Sequence, residues 1–361
     1  MILNSNMYVP TLKWRQGEYQ ALLQLGDSAK ERIAPFITIP EIEFDFEAWQ
    51  PKKNIQEHVH PFIARYKAKW GRRPAWIGIV ESIISQPMDD GRTVFNYVFD
   101  GLRTNGANAI PSVALSADSS TLVAVASIVK QDNKGVGISI RLEDLMKANS
   151  TIRLQALRTA LNVNLEDCDL LIDLGAPNFE PYKAFSNALI NVLKKIADLS
   201  IYRNVVLIGT AMPASLKDIA KGVDEIPRHD WIFYQQLTKM LPAGMRRPIY
   251  GDYTIVHPAF TATDMRKIKP AGKVVYTTQE AWAVYKGGSF RDKPEQMHDH
   301  CAAIVASSSY MKSTFSAGDE YIEKCAKHLA GPSNQTRWKN VGINHHITMV
   351  VNDLARLGDS T

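Results

Sequence analysis

The chain has 361 residues, of which 45% are hydrophobic and 22% charged, proportions that support a sizeable core and exclude a disordered or low-complexity chain. A formal charge of +5, spread along the chain apart from pairs such as Arg72-Arg73 and Arg246-Arg247, disfavours a dedicated nucleic-acid binder, which concentrates its charge on one patch. No apolar stretch approaches the roughly eighteen residues of a membrane-spanning helix, and the three cysteines, Cys168, Cys301 and Cys325, form no CxxC pair of a zinc ribbon or disulfide framework.

Met1 to Pro10 lacks the basic-then-apolar pattern of a signal peptide, so a cytoplasmic protein is expected. Trp14 to Leu25 reads as a helix, with Gly26 as its stop. Eight short apolar runs follow: 33–39, 75–80, 108–115, 136–140, 170–174, 204–209, 248–253 and 273–277. Strands buried on both faces of a parallel sheet read this way, and the spacing leaves room for a helix and two loops between each pair. The segments 55–70, 95–103, 121–130, 154–161, 185–199 and 231–241 have helical periodicity. The longer stretch 210–241, with Pro213 and Pro227, reads as two helical pieces. After the eighth run come a helix over 294–311, N-capped by Asp292, and two more over 319–329 and 338–357. The expected fold is α/β, a parallel TIM-like (β/α)8 barrel over residues 1–312 with an N-terminal helix, and a C-terminal helical extension over 313–361.

In such barrels the reactive groups gather where the strands end at the carboxyl face. Those positions hold Glu41 and Glu43 after the first run, Glu81 after the second, and Arg141 with Glu143 after the fourth. Asp173 follows at the fifth, Thr210 after the sixth, Asp252, Tyr253 and His257 around the seventh, and Tyr276 with Gln279 at the eighth. Carboxylates from different strands can hold a hard divalent cation such as Mg or Mn, or divide acid and base roles between them. Asp173, Asp252, Glu81 and Tyr253 are the catalytic candidates. Asp173 and Asp252 stand out because each lies at or inside an apolar strand, where an unpartnered charge costs several kcal/mol. The structural reading is that these groups cap loops and pair with neighbouring arginines.

Lys286-Gly287-Gly288-Ser289-Phe290-Arg291 precedes an expected helix, where glycines free backbone N–H groups to face an anion. With Arg141, the residues Lys286, Gly287, Gly288 and Arg291 are the candidate anion-binding set; a turn without a ligand is the plainer alternative. His298 and His300 are two residues apart and diverge on a helix, as do His345 and His346, so structural or surface roles are expected. Phosphate-loop, nucleophile-elbow and HExxH motifs are absent, and Ser82, Ser112 and Ser215 have no histidine placed beside them by the spacing.

The opening Met7-Tyr8-Val9-Pro10-Thr11-Leu12-Lys13-Trp14-Arg15 and Gly17-Glu18-Tyr19-Gln20-Ala21-Leu22 resemble the start of the phage and bacterial beta protein family. Gly251-Asp252-Tyr253, Gly318-Asp319-Glu320-Tyr321-Ile322, Trp338 and Asn344-His345-His346 extend the resemblance over nearly the whole chain. It implies a setting in phage genomes and bacterial mobile islands, hence phage defence or a related conflict, and names no reaction. The leading expectation is an anion-accepting barrel that hydrolyses a phosphoester of a nucleotide or nucleic acid. Alternatives are a protein-binding module anchored by Trp231, Trp282 or Trp338, its partner encoded nearby, and a glycosidase built on two carboxyl groups at the mouth.

Overall fold

The computed structural model describes residues 1–259 and 269–359. Eight strands close into a barrel: β1 Tyr8–Lys13, β2 Phe36–Ile39, β3 Ala75–Ile79, β4 Ala109–Ala114, β5 Val136–Arg141, β6 Cys168–Asp173, β7 Asn204–Gly209 and β8 Ile249–Asp252. All neighbouring pairs run parallel, and β1 closes the ring between β8 and β2. Seven of the expected runs are barrel strands. The run at 273–277 is not, and its place is taken by Tyr8–Lys13. Val9 belongs to the barrel interior while Tyr8 and Leu12 pack outward, so alternation turns Thr11 and Lys13 inward as well. Polar residues on that face, preceded by Pro10, break the apolar run that marks the other strands.

Ala271–Thr277 instead pairs antiparallel with Ala281–Ser289, which pairs on its other edge with Gly222–Pro227. The stretch 210–241 therefore holds a strand and one helix, His229–Met240, rather than two helices. The sheet's two faces are both covered. Val274, Tyr276, Ala283 and Tyr285 share a core with helices Gln296–Ala306 and Ala317–Ala326, while Val275, Trp282 and Val284 pack with Met212 on the other side. Burial on both faces explains why this antiparallel strand mimics a parallel one in composition. The long helix Gln335–Asp359 joins the two bodies: Trp338 and Val341 lie in the sheet's core, and Ile343, Ile347, Val350 and Leu354 lie in the barrel's outer core.

The amino end of the barrel is plugged. Asp169, fully buried on β6, accepts from Trp76 Nε1 (2.7 Å), Arg203 Nε and Nη2 (2.8 and 2.6 Å) and Asn204 Nδ2 (2.6 Å). Asn204 also donates to the Met1 carbonyl and accepts from the Leu3 amide, so the N-terminal segment lies across this end. The carboxyl end is open. Among the described residues no helix is long and apolar enough to cross a membrane.

Candidate functional site

Above the plug, the inward positions of the middle strands become small. Phe36 and Thr38 on β2, Gly78 on β3, Ser112 on β4 and Ser139 on β5 line a cleft of about 560 Å³ at the carboxyl face. Packing beside Ser112 is close: a Cβ on Gly137 would sit 2.8 Å from Trp76 Cδ1 and 3.3 Å from Ser112 Oγ, so a larger residue there would force the buried indole to shift. Glu41, Glu81, Arg141 and Asp173 stand around the cleft, with Asp118 and Asp144 beyond them. The cleft thus brings together four residues that the sequence reading grouped at the mouth. Glu143 and Thr210 do not line the cleft; Thr210 is buried, its amide bonded to the Gly175 carbonyl.

Asp173 lies opposite Arg141 in the β5–β6 register. Its Oδ2 accepts from Tyr253 Oη at 2.7 Å and its Oδ1 from the Gly175 amide at 2.8 Å. Burial pushes its pKa up, opposed by these two donors and by Arg141, and the balance leaves it above the ordinary carboxylate value. Burial and the Asp173 charge drive the Tyr253 hydroxyl well above its usual pKa, so it stays a donor. Arg141 is exposed and makes no ion pair or hydrogen bond among the described residues. Ser112 is 4% exposed and its hydroxyl has no hydrogen-bond partner among the described residues. Sequence reasoning weighed Ser112 only as a nucleophile; the signal missed was a lone hydroxyl at an inward position of an otherwise apolar strand.

Asp252 is somewhere else entirely. Its side chain is sealed in a network, with Oδ1 accepting from Tyr8 Oη (2.5 Å) and the Thr254 amide (2.7 Å). Oδ2 accepts from Tyr250 Oη (3.0 Å) and lies 3.0 Å from His346 Nε2. Burial alone would raise its pKa, but His346, Tyr8 and the Thr254 amide outweigh it and hold the carboxyl below its ordinary value. Asp230, the second carboxyl of the cluster, meets Tyr250 Oη at 2.8 Å; burial and the neighbouring Asp252 charge push it up. One Tyr250 proton cannot serve both carboxyls at once, and the Ala211 amide is the other donor to Asp230, at 3.3 Å. Sequence reasoning did not single out Asp230.

The remaining candidates lie away from the cleft lining, several of them in the C-terminal body. Lys286 Nζ donates to the carbonyls of Leu216, Lys217 and Ile219 at 2.8, 2.8 and 2.6 Å, closing the turn before the 222–227 strand. Gly287 and Gly288 lie within a strand, not in a loop before a helix. A Cβ on Gly287 would meet Gln296 Oε1 at 1.9 Å, so that glycine admits a helix side chain. Arg291 is exposed beyond the strand's end, and the helix after it starts at Gln296 with Glu295 as N-cap. Tyr276 donates to Asp319 at 2.8 Å, and the Gln279 carbonyl accepts from the buried Arg228. Trp231, Trp282 and Trp338 are all buried and present no surface anchor. Glu43 pairs with Arg15 and Lys52, and His257 Nδ1 accepts from the Ala259 amide. Among the described residues no group of three or more His, Cys, Asp or Glu side chains is placed to hold a metal ion.

A model of the beta protein family matches residues 8–352. The chain belongs to the beta protein family. The crystal structure of 3-hexulose-6-phosphate synthase is similar at 17% identity and a TM-score of 0.33, over 70% of this chain and 89% of that one. No curated protein matches. In this beta protein the motifs that carry the family resemblance converge on the joint between barrel and C-terminal body. His346 reaches Asp252 at the end of β8, while His345 on the same helix meets Asp319 Oδ2 (2.8 Å) and the Thr277 carbonyl (2.7 Å). Asn344 accepts from the Gly318 amide and donates to the Ala21 carbonyl. These are packing and hydrogen-bonding roles, and the divergence of adjacent helical side chains lets one dipeptide grip both bodies.

Proposed function

We propose that the cleft at the carboxyl ends of β2 to β6 binds a phosphorylated ligand, a nucleotide in the first instance, and hydrolyses its phosphoester. The observation that carries this reading is Arg141, a guanidinium at the rim with no partner among the described residues. Its planar fork matches two phosphate oxygens. The unpartnered Ser112 hydroxyl on the floor adds a donor that the fold leaves unused. Asp173, raised by burial and steered by Tyr253, is the general acid or base, and Glu81 is the second carboxylate. Mg or Mn would enter with the ligand's phosphates and draw on one or two of the cleft carboxylates, a common arrangement for magnesium. Phage defence or a mobile-element role is the biological setting we attach to this chemistry. The partner is then the ligand itself; no observation favours the protein-binding reading, since its proposed anchors are buried.

Purified protein titrated with nucleotides and short oligonucleotides, with and without Mg or Mn, tests the proposal. Arg141→Ala should weaken binding about tenfold or more, the worth of one charge-assisted bidentate contact. Asp173→Asn should retain binding and lose turnover. Nucleotide affinity indifferent to Arg141, or turnover unchanged in Asp173→Asn, would overturn the reading.

A further inference from the structure

The segment after β2 rises from the cleft as a hairpin, Phe44–Asp45 paired antiparallel with Gln50–Pro51. Asp45 Oδ1 accepts from the amides of Glu47 and Ala48 at 2.8 and 3.1 Å and shapes the turn. Trp49 closes it with φ 54°, the left-handed region that bulky residues rarely occupy, and its side chain is 75% exposed. Phe44 and Phe46 meet the indole edge to face, with ring centroids 5.6 and 6.4 Å away. The turn thus holds a largely exposed indole in edge-to-face contact with two rings.

The hairpin is tied to the cleft. Glu41 lines the cleft and pairs with Arg15, Arg15 pairs with Glu43, and Glu43 pairs with Lys52 at 3.0 Å. Phe44, the first residue of the hairpin, is three positions after Glu41, a span of at most about 11 Å. Lys52 and Lys53 are exposed at the hairpin's base. An exposed aromatic flanked by cations beside a cleft with its own rim arginine fits a flat π-system attached to a phosphate.

We infer that Trp49 is a stacking platform for the base of a nucleoside phosphate whose phosphate lies toward Arg141. This rests on the cleft reading above and names its ligand class. The phosphate fixes the ligand through charge, and the indole discriminates by the base. A neutral sugar would use the ring alone and have no need of the lysines.

The test measures binding of AMP and of ribose 5-phosphate to the full-length protein by calorimetry, in wild type, Trp49→Ala, Trp49→Phe and Arg141→Ala. AMP should bind about tenfold or more tighter than ribose 5-phosphate, the usual worth of one stacked base. Trp49→Ala should erase that difference, Trp49→Phe should keep most of it, and Arg141→Ala should weaken both ligands alike. Equal affinity of the two ligands in wild type, with Arg141 still required, defeats the stacking inference and leaves the cleft reading intact. Trp49-dependent AMP binding that ignores Arg141 does the reverse. Trp49-dependent binding of maltose in preference to AMP also overturns the inference, and Trp49 is exposed enough that its variants should fold.

Discussion

Replacing Asp252 by asparagine keeps the shape of the side chain and removes one acceptor oxygen, which isolates what the buried carboxylate contributes. Each of its two oxygens takes two donors: Tyr8 and the Thr254 amide on one, Tyr250 and His346 on the other. The His346 proton is assigned by its surroundings. Trp282 Nε1 can only donate and lies 3.4 Å from Nδ1, so Nδ1 accepts and Nε2 carries the hydrogen that faces Asp252. An asparagine amide would then point N–H groups either at His346 Nε2–H or at the Thr254 N–H, and both orientations set donor against donor. Tyr250 can turn wholly to Asp230, but His346 is boxed in by Thr277 and Trp282. Charge-assisted bonds are worth about 1.5–3 kcal/mol each, and the amide weakens all four while setting donor against donor at one of them. We expect Asp252→Asn to lose about 3–5 kcal/mol, about a fifth or more of the roughly 5–15 kcal/mol typical of a folded domain. Urea unfolding at neutral pH measures this as a lowered midpoint with an unchanged slope. A loss under about 1 kcal/mol would refute the network argument. Because Asp252 does not line the cleft, folded Asp252→Asn protein should bind cleft ligands as wild type does.

The neighbouring carboxyl should behave in the opposite way. Asp230 is pushed up by burial and hydrogen-bonded to Tyr250, so Asp230→Asn should lose no stability in the same urea assay; a loss as large as that of Asp252→Asn would contradict this reading. The two groups also give opposite pH signs. Asp252, held low, contributes stability that is complete above its unfolded pKa and is lost as pH falls through its folded value. Asp230, held high, costs stability as pH rises from its unfolded pKa toward its folded one, so Asp230→Asn should gain on wild type across that interval. Unfolding curves at several pH values would expose a wrong sign. Lys286→Met should cost about 1–3 kcal/mol, because three carbonyls lose their donor, while phosphate affinity stays constant. Weakened phosphate binding would restore the anion-site reading of the Gly287-Gly288 segment. Asp169→Ala should cost about 3–5 kcal/mol by stranding Arg203 at the plug, and an unfolding midpoint like that of wild type would show the plug to be dispensable.

Hydrophobic patterning alone identified seven barrel strands and the mouth residues that follow them, because the side-chain period of a two-sided strand and the position after its last apolar residue are local properties. Glu41, Glu81, Arg141 and Asp173 were legible in that sense, as was the divergence of His345 and His346. Which strand closes the ring was not. Tyr8–Lys13 turns polar side chains toward an open mouth, and Ala271–Thr277 looks like a barrel strand because two different cores cover its faces. The same limit governs charge. Asp252 and Asp173 are equivalent in sequence, each ending an apolar strand, yet one is locked by residues up to 244 positions away and the other opens on a cleft. The chain's local chemistry determined what each segment could become. Only the long-range pairing of distant donors and acceptors decided which carboxylate is buried as a joint and which is left facing solvent, since a carboxylate's state depends on the groups around it rather than on its neighbours in the chain.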